Sequence, residues 1–328
     1  MKSLVTGANG FVGSAVARCL LAAGYEVRTL VRAGSDRRNL MELPVEVIEG
    51  DLRDVPSLKR AVKGCDSLFH VAADYRLWVP NPAIMYDINV QGTQALIQAG
   101  AEAGMTRMVY TSSVATLGFK ANSQPADEET PSDLATIIGH YKRSKFLAEQ
   151  VVRELVYQHQ LPLVIVNPST PIGPRDVKPT PTGRIVLDTL RGKMPAYVDT
   201  GLNVAHVDDI AQGHLLACQR GKAGQRYILG GDNMTLLEIL QIIDEITGKP
   251  TKRRRLPVKL MLPIAHTLEM VAKITRTEPR ATVDSVQMAK KKMFFSSAKA
   301  EQELGYQHRS AKAAIRDAIE WFKHMNYC

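Results

Sequence analysis

A doubly wound parallel α/β sheet, with a smaller discontinuous α/β lobe over its carboxyl edge, is the fold this 328-residue sequence predicts. Three observations carry that prediction. Short apolar runs alternate with helical periodicity through the first half, the pattern of a parallel sheet covered on both faces. A glycine triplet stands between the first apolar run and the first helix. The alternation then breaks at a stretch with six prolines between Pro168 and Pro195.

The elements follow in order. Ser3–Thr6 reads as a strand and Val12–Ala23 as a helix. Glu26–Val31, Val45–Glu49, Ser67–Ala73 and Arg107–Thr111 read as further strands. A helix with apolar positions Leu147, Val151 and Leu155 follows, then the strand Leu163–Asn167. Beyond the prolines, Val204–Gln219 reads as a strand end and a helix, and Thr235 with Glu238 signals a capping box. Leu256–Ile274 is apolar with scattered charges, and Ala311–Met325 closes the chain as a helix. Residues 1–170, with a return segment at 204–230, are expected to form the sheet domain. Residues 171–203 and 231–328 are expected to form a substrate lobe.

With 45% hydrophobic and 23% charged residues, the composition fits a folded chain and excludes disorder. Lys2 precedes an apolar stretch, but Gly7, Asn9, Gly10 and Gly13 interrupt it, so a signal peptide is not expected. No apolar run is long enough to span a membrane. Cys19, Cys65, Cys218 and Cys328 show neither disulfide nor metal-ligand spacing, which predicts no metal site and a reducing, cytoplasmic setting. Residues 249–328 hold 17 Lys/Arg against 7 Asp/Glu, so the net charge of +9 belongs to the C-terminal quarter. That charge reads as solvated surface or as attraction to a phosphorylated substrate or anionic membrane. No nucleic-acid motif accompanies it.

Gly7-Ala-Asn-Gly10-Phe11-Val12-Gly13 has the spacing and context of a dinucleotide-binding turn. Glycine permits the tight turn and close backbone approach, and the helix N-terminus offers bare N–H groups to phosphates. Arg32 ends the second strand, where an acidic residue would hold the ribose hydroxyls of NAD; arginine suits a 2′-phosphate. NADP is therefore the expected cofactor and NAD the second choice, with Arg37 and Arg38 near enough to help. Asp51-Leu52 is expected beside the adenine, and Ala72 and Ala73 are small enough to pass beside the cofactor. His70 reads as a strand residue.

Tyr141 and Lys145 stand one helical turn apart, on one face. A free phenol, with pKa near ~10, is a poor base at neutral pH. A nearby ammonium should lower it. Ser113, after Tyr110-Thr111-Ser112, is expected to bond the substrate oxygen that Tyr141 protonates or deprotonates, with Ser112 as the alternative hydroxyl. This constellation predicts acid–base assistance to a hydride transfer.

Together these residues resemble the extended short-chain dehydrogenase/reductases, the NAD-dependent epimerase/dehydratases with a Rossmann sheet. The likeness extends to Ile88-Asn89-Val-Gln-Gly-Thr93, Asn167-Pro168-Ser169-Thr170-Pro171 and His206-Val-Asp-Asp209-Ile-Ala. It implies that Asn89 has a structural or proton-relay role and that Pro168, Ser169 and Thr170 contact the nicotinamide. His70–Trp78, Thr111–Gly118 and Asn167–Pro174 are similar to hopanoid-associated sugar epimerases, and these resemble dihydroflavonol 4-reductases. The resemblance implies a nucleotide- or lipid-linked sugar epimerase, with an NADPH-dependent ketone or aldehyde reductase as the alternative. A non-catalytic dinucleotide sensor would be expected to lack Tyr141. A homodimer is a further implication of the family.

Asp74, Tyr75, Arg76 and Trp78 are expected beside the site, Trp78 either stacking on a ring or packing its own loop. Arg175 and Arg184 read as holders of an anion or as surface. Leu256–Ile274, flanked by Arg253–Arg255 and Arg276, reads as a packed helix or as one lying on a membrane near a small-molecule or lipid-linked substrate.

Overall fold

The computed structural model describes residues 1–275, 277, 279 and 282–328, the side chains of Lys273 and Ile274 excepted. Arg276, one flank of the apolar segment, lies outside the described residues. The chain runs β1 (Lys2–Thr6), α1 (Phe11–Ala22), β2 (Glu26–Val31), β3 (Val45–Glu49), α2 (Val55–Val62), β4 (Ser67–His70). Then come α3 (Pro82–Tyr86), a π turn (Asp87–Gln91), α4 (Gly92–Glu102), β5 (Arg107–Thr111), α5 (His140–His159), β6 (Leu163–Pro168) and β7 (Thr170–Ile172). The rest comprises α6 (Pro181–Leu190), β8 (Ala196–Tyr197), β9 (Gly201–His206), α7 (Val207–Arg220), β10 (Arg226–Leu229), β11 (Asp232–Thr235) and α8 (Leu236–Thr247). Last are β12 (Arg254–Arg255), α9 (Val258–Thr275), α10 (Val283–Met288), β13 (Lys292–Met293), α11 (Ala298–Leu304) and α12 (Ala311–His324).

Seven strands form one parallel sheet in the order β10-β6-β5-β4-β1-β2-β3. The strands alternate sides and are apolar on both. Val5, Phe69, Val109 and Val164 pack with α1 and α7, whereas Leu4, Leu68, Met108 and Ile165 pack with α2, α4 and α5. Burial on both faces is why these strands read as unbroken apolar runs. Strand order reverses between β1 and β4, which opens a crevice at the carboxyl ends.

The remaining strands form two small sheets. β9 is flanked by β11 and β13 and also pairs with β7, while β8 pairs with β12. Ile172, Val186, Ile239, Ile243, Ile315 and Phe322 form the core between them and α6, α8 and α12. The Thr235–Glu238 capping box is formed at the start of α8. No described helix is long and apolar enough to cross a membrane.

One expected strand, β4, ends early, whereas β5 ends where it was expected to. β4 stops at His70, because the amide of Ala72 bonds the Thr6 hydroxyl (3.2 Å) and that of Asp74 bonds Asn89 Oδ1 (2.7 Å) instead of joining the sheet. β5 stops at Thr111, and Ser113 caps the short turn Val114–Thr116 by accepting the Ala115 amide at 3.1 Å. His70 is a strand residue, bridging Thr6 and Thr93 at 2.8 Å on each side.

Candidate active site

The glycine turn is built by close packing. Gly7 has φ +73°, and a Cβ there would lie 2.8 Å from the backbone of Ala72. A Cβ on Gly13 would lie 2.0 Å from the Gly7 carbonyl, so no larger residue fits. Gly10 is less confined, since its added Cβ would meet the same carbonyl at 3.2 Å. No side chain caps α1, so the amides around Phe11 and Val12 at its start are open to an anion. Asn39, which the sequence reading passed over, donates to the carbonyls of Asn9, Gly10 and Arg175 and stitches the turn to the loop after β7.

Arg32 follows β2 and is exposed. It lines a shallow cavity of about 590 Å³ with Ala33, Gly34, Ser35, Gly50 and Asp51. It has no carboxylate bonded to it among the described residues. Arg37 and Arg38, expected to assist it, are instead paired with Glu49 and Asp36. Asp51 lines the cavity, but Arg53 grips its carboxylate (2.8 and 2.9 Å) and holds its pKa down at about 2. Leu52 packs in the core and closes on Gly92, where a Cβ would stand 2.7 Å from its own. Half-buried Ala72 and Ala73 continue beside the turn. Across the crevice, Pro168 ends β6 and Thr170 begins β7. Between them the buried Ser169 hydroxyl has no hydrogen-bond partner among the described residues. A turn that excludes side chains, an uncapped helix start, a cavity-lining cation and an unsatisfied hydroxyl together fit a nicotinamide dinucleotide.

Tyr141, in the first turn of α5, is hydrogen bonded to Ser113, and Tyr75 lies close enough to influence it. Ser112 points elsewhere, donating to Glu149 at 2.5 Å, so Ser113 is the hydroxyl at the phenol. Lys145 is buried and reaches back across the sheet end to the Tyr110 hydroxyl (3.0 Å) and the Thr111 carbonyl (2.7 Å). Thr111 in turn bonds His214 at 2.9 Å.

The electrostatics correct one expectation. Burial raises the Tyr141 phenol above its ordinary value, and the Ser113 hydrogen bond opposes this only in part. Lys145 is spent on Tyr110 and Thr111 and does not appear among the influences on the phenol. Burial lowers Lys145 itself to about 7, with Glu149 pulling the other way.

Glu149 is the buried carboxylate beside the site that sequence reading missed. It is 2% exposed and accepts from Ser112 (2.5 Å), Thr116 (2.8 Å) and Asn167 (2.9 Å), while Arg226 bonds its other oxygen at 3.0 Å. Its place one turn beyond Lys145 on α5 was the available signal. Asn89, in the π turn, donates to the Asp74 carbonyl and the Ser144 hydroxyl, both at 2.9 Å, tying the loop after β4 to α5.

The expected substrate residues divide. Tyr75 is brought to Tyr141. Asp74 is spent on Arg76; burial raises its carboxyl, and the Arg76 hydrogen bonds outweigh this and hold it low. Trp78 is half-buried. Arg175 is paired with Asp208, and its carbonyl is tied to the glycine turn through Asn39, so its charge is already engaged. Arg184 is exposed on α6 near Asp176.

Comparison with known proteins agrees with this geometry. The family model of the NAD-dependent epimerase/dehydratase family matches residues 3–230. A protein of Synechocystis sp., provisionally named a dihydroflavonol 4-reductase, is 47% identical over 98% of this chain and 95% of its own length. Sterol demethylase protein B of Methylococcus capsulatus is 36% identical over 98% of each chain. The crystal structure of gox2253 superposes with a TM-score of 0.89 at 51% identity, covering 99% of this chain and 98% of the other. The chain is a member of the NAD-dependent epimerase/dehydratase family, an NAD(P)-dependent enzyme of oxidoreductase type.

Proposed function

We propose that this enzyme is a net reductase of ketones or aldehydes that uses NADPH. The observation that carries the reading is Arg32: of three arginines after β2, it is the one with no carboxylate bonded to it among the described residues, and it lines the cavity between the ends of β2 and β3, whose wall also holds Glu49, Asp51 and Asp54. A guanidinium there favours a 2′-phosphate through charge-assisted bonds. The relative provisionally named a dihydroflavonol reductase supports the same direction.

When bound, the dinucleotide supplies the hydride. The chain's own residues do the rest. Gly7, Gly10 and Gly13 seat the pyrophosphate against the start of α1, with Asp51 and Leu52 bordering the adenosine end. Ala72, Ala73, Thr111, Pro168, Ser169 and Thr170 border the nicotinamide end. Ser113 bonds the carbonyl oxygen, and Tyr141 delivers the proton to it. The raised phenol suits this direction, because it is fully protonated at neutral pH and ready to donate. Lys145 fixes the sheet end against α5 through its bonds to the Tyr110 hydroxyl and the Thr111 carbonyl. Tyr75 and Trp78 border the substrate.

A second reading, epimerisation of a nucleotide- or lipid-linked sugar of the hopanoid-associated kind, is favoured by the family match. It would regenerate the cofactor in each cycle. The test is reduced-nicotinamide absorbance with a panel of ketones, aldehydes and sugars. Stoichiometric NADPH loss with a carbonyl compound supports the reductase. Conversion of a sugar without loss supports the epimerase and overturns the reductase. In the same assay Arg32→Asp should reduce NADPH preference over NADH by ~10-fold or more, the loss of one charge-assisted phosphate contact. An unchanged preference would remove Arg32 from the argument.

A further inference from the structure

The apolar segment noted in the sequence is not absorbed by the active site. It becomes α9, and its outer face is open: Leu260 is 64% exposed, Ile264 50%, Met270 65% and Val271 50%. Pro263 and Thr267 are exposed between them. At about 100° per residue these six positions share one stripe roughly 120° wide, and none is charged. Ala265 and Ala272, on the other side, are buried. α10 packs there too, its Val283 amide bonded to Glu269 Oε1 at 2.8 Å.

The approach to the stripe is basic. Lys252, Arg254 and Lys259 are exposed, and their side chains have no carboxylate partner among the described residues. Arg255 is exposed and pairs with Asp199 at 2.6 Å. Arg253 stands apart from this group: its side chain is 3% exposed and grips Asp244 at 2.6 and 2.7 Å. Cations at one end of an uncharged apolar stripe are complemented by a surface that offers negative charge and hydrocarbon together. A second copy of the stripe offers hydrocarbon alone, having no carboxylate for Lys252, Arg254 or Lys259. An anionic bilayer offers both.

We propose that α9 docks on an anionic lipid surface, its stripe in the boundary between headgroups and acyl chains and its basic approach on the headgroups. The position has consequence. Asp284 of α10 stands against Gly139, 3.1 Å from where a Cβ would be, immediately before the turn that carries Tyr141. Docking through α9 therefore holds the Tyr141 end of α5 near the bilayer, whatever reaction occurs there.

The test is co-sedimentation of the full chain with vesicles of phosphatidylcholine alone and of phosphatidylcholine mixed with phosphatidylglycerol. Binding to the mixed vesicles is expected to be ~10-fold or more tighter than to phosphatidylcholine alone. Leu260→Glu with Ile264→Glu and Val271→Glu should cost ~10-fold or more in binding to mixed vesicles while the melting temperature holds. Lys252→Glu with Arg254→Glu and Lys259→Glu should abolish the preference for anionic lipid, and this second variant leaves the stripe untouched. A wild-type chain that stays in the supernatant with both vesicles overturns the proposal. So does a stripe variant that binds as well as wild type. A stripe variant that falls from dimer to monomer by light scattering, with no vesicle binding by wild type, assigns the stripe to a second copy.

Discussion

At the scale of residues, the site is a set of buried polar groups whose partners decide their chemistry. Ser112 and Ser113 are neighbours, yet one is held by Glu149 and the other by Tyr141. The sequence offers no way to separate them, because the choice depends on where α5 crosses the end of β5. Lys145 teaches the same lesson. Its spacing from Tyr141 was legible, but its bonds to Tyr110 and Thr111 were not. Glu149 raises the affinity of Lys145 for its proton. Removing that negative charge by Glu149→Gln should therefore move the titration of Lys145, and any rate transition it sets, toward lower pH. Log kcat against pH checks this. A variant with a lower melting temperature and an unmoved profile would reduce Glu149 to a structural role.

At the scale of elements, periodicity was a good guide wherever burial follows from the sheet. Strands apolar on both faces and a helix starting at a glycine turn are written in local pattern. β2, β3 and β5 run between the residues expected of them. The misplaced end lies where backbone amides leave the sheet for side chains distant in sequence: Ala72 to Thr6, and Asp74 to Asn89. No local signal marks such partners. The same reasoning explains why Arg37 and Arg175 looked available in sequence and prove to be paired, with Glu49 and Asp208; the partner of Arg38, Asp36, is local. At the turn itself, Gly13→Ala would drive a Cβ to 2.0 Å from the Gly7 carbonyl. It should move α1 off β1 and cost ~1–3 kcal/mol, the range for overpacking, together with loss of dinucleotide affinity. Urea unfolding and nicotinamide fluorescence titration measure the two effects. Gly10→Ala, with its contact at 3.2 Å, should be much milder on stability.

At the scale of the whole molecule, the parallel sheet places the glycine turn and the Tyr141 turn at one carboxyl edge, so fold and site are one construction. The buried core also sets the response to acid. Burial lowers His70 to about 3 and His214 to about 4, below the ordinary 6.5. Unfolded histidines take up protons as pH falls below 6.5 and these two do not, so the unfolded state gains and stability falls with falling pH. Asp176 opposes them: burial raises it to about 6, so its contribution declines as pH rises toward that value. Two histidines outweigh one carboxyl, and His214→Gln should remove about 2 kcal/mol of the stability difference between pH 7 and pH 5, measured by urea unfolding. Everything functional in this reading depends on the phenol of Tyr141 as the proton donor beside the dinucleotide turn. The most direct measurement is NADPH oxidation by Tyr141→Phe with a carbonyl substrate the wild type reduces, alongside NADPH binding by fluorescence. The expected result is turnover lower by ~10²-fold or more with binding nearly unchanged; turnover equal to wild type would contradict the account.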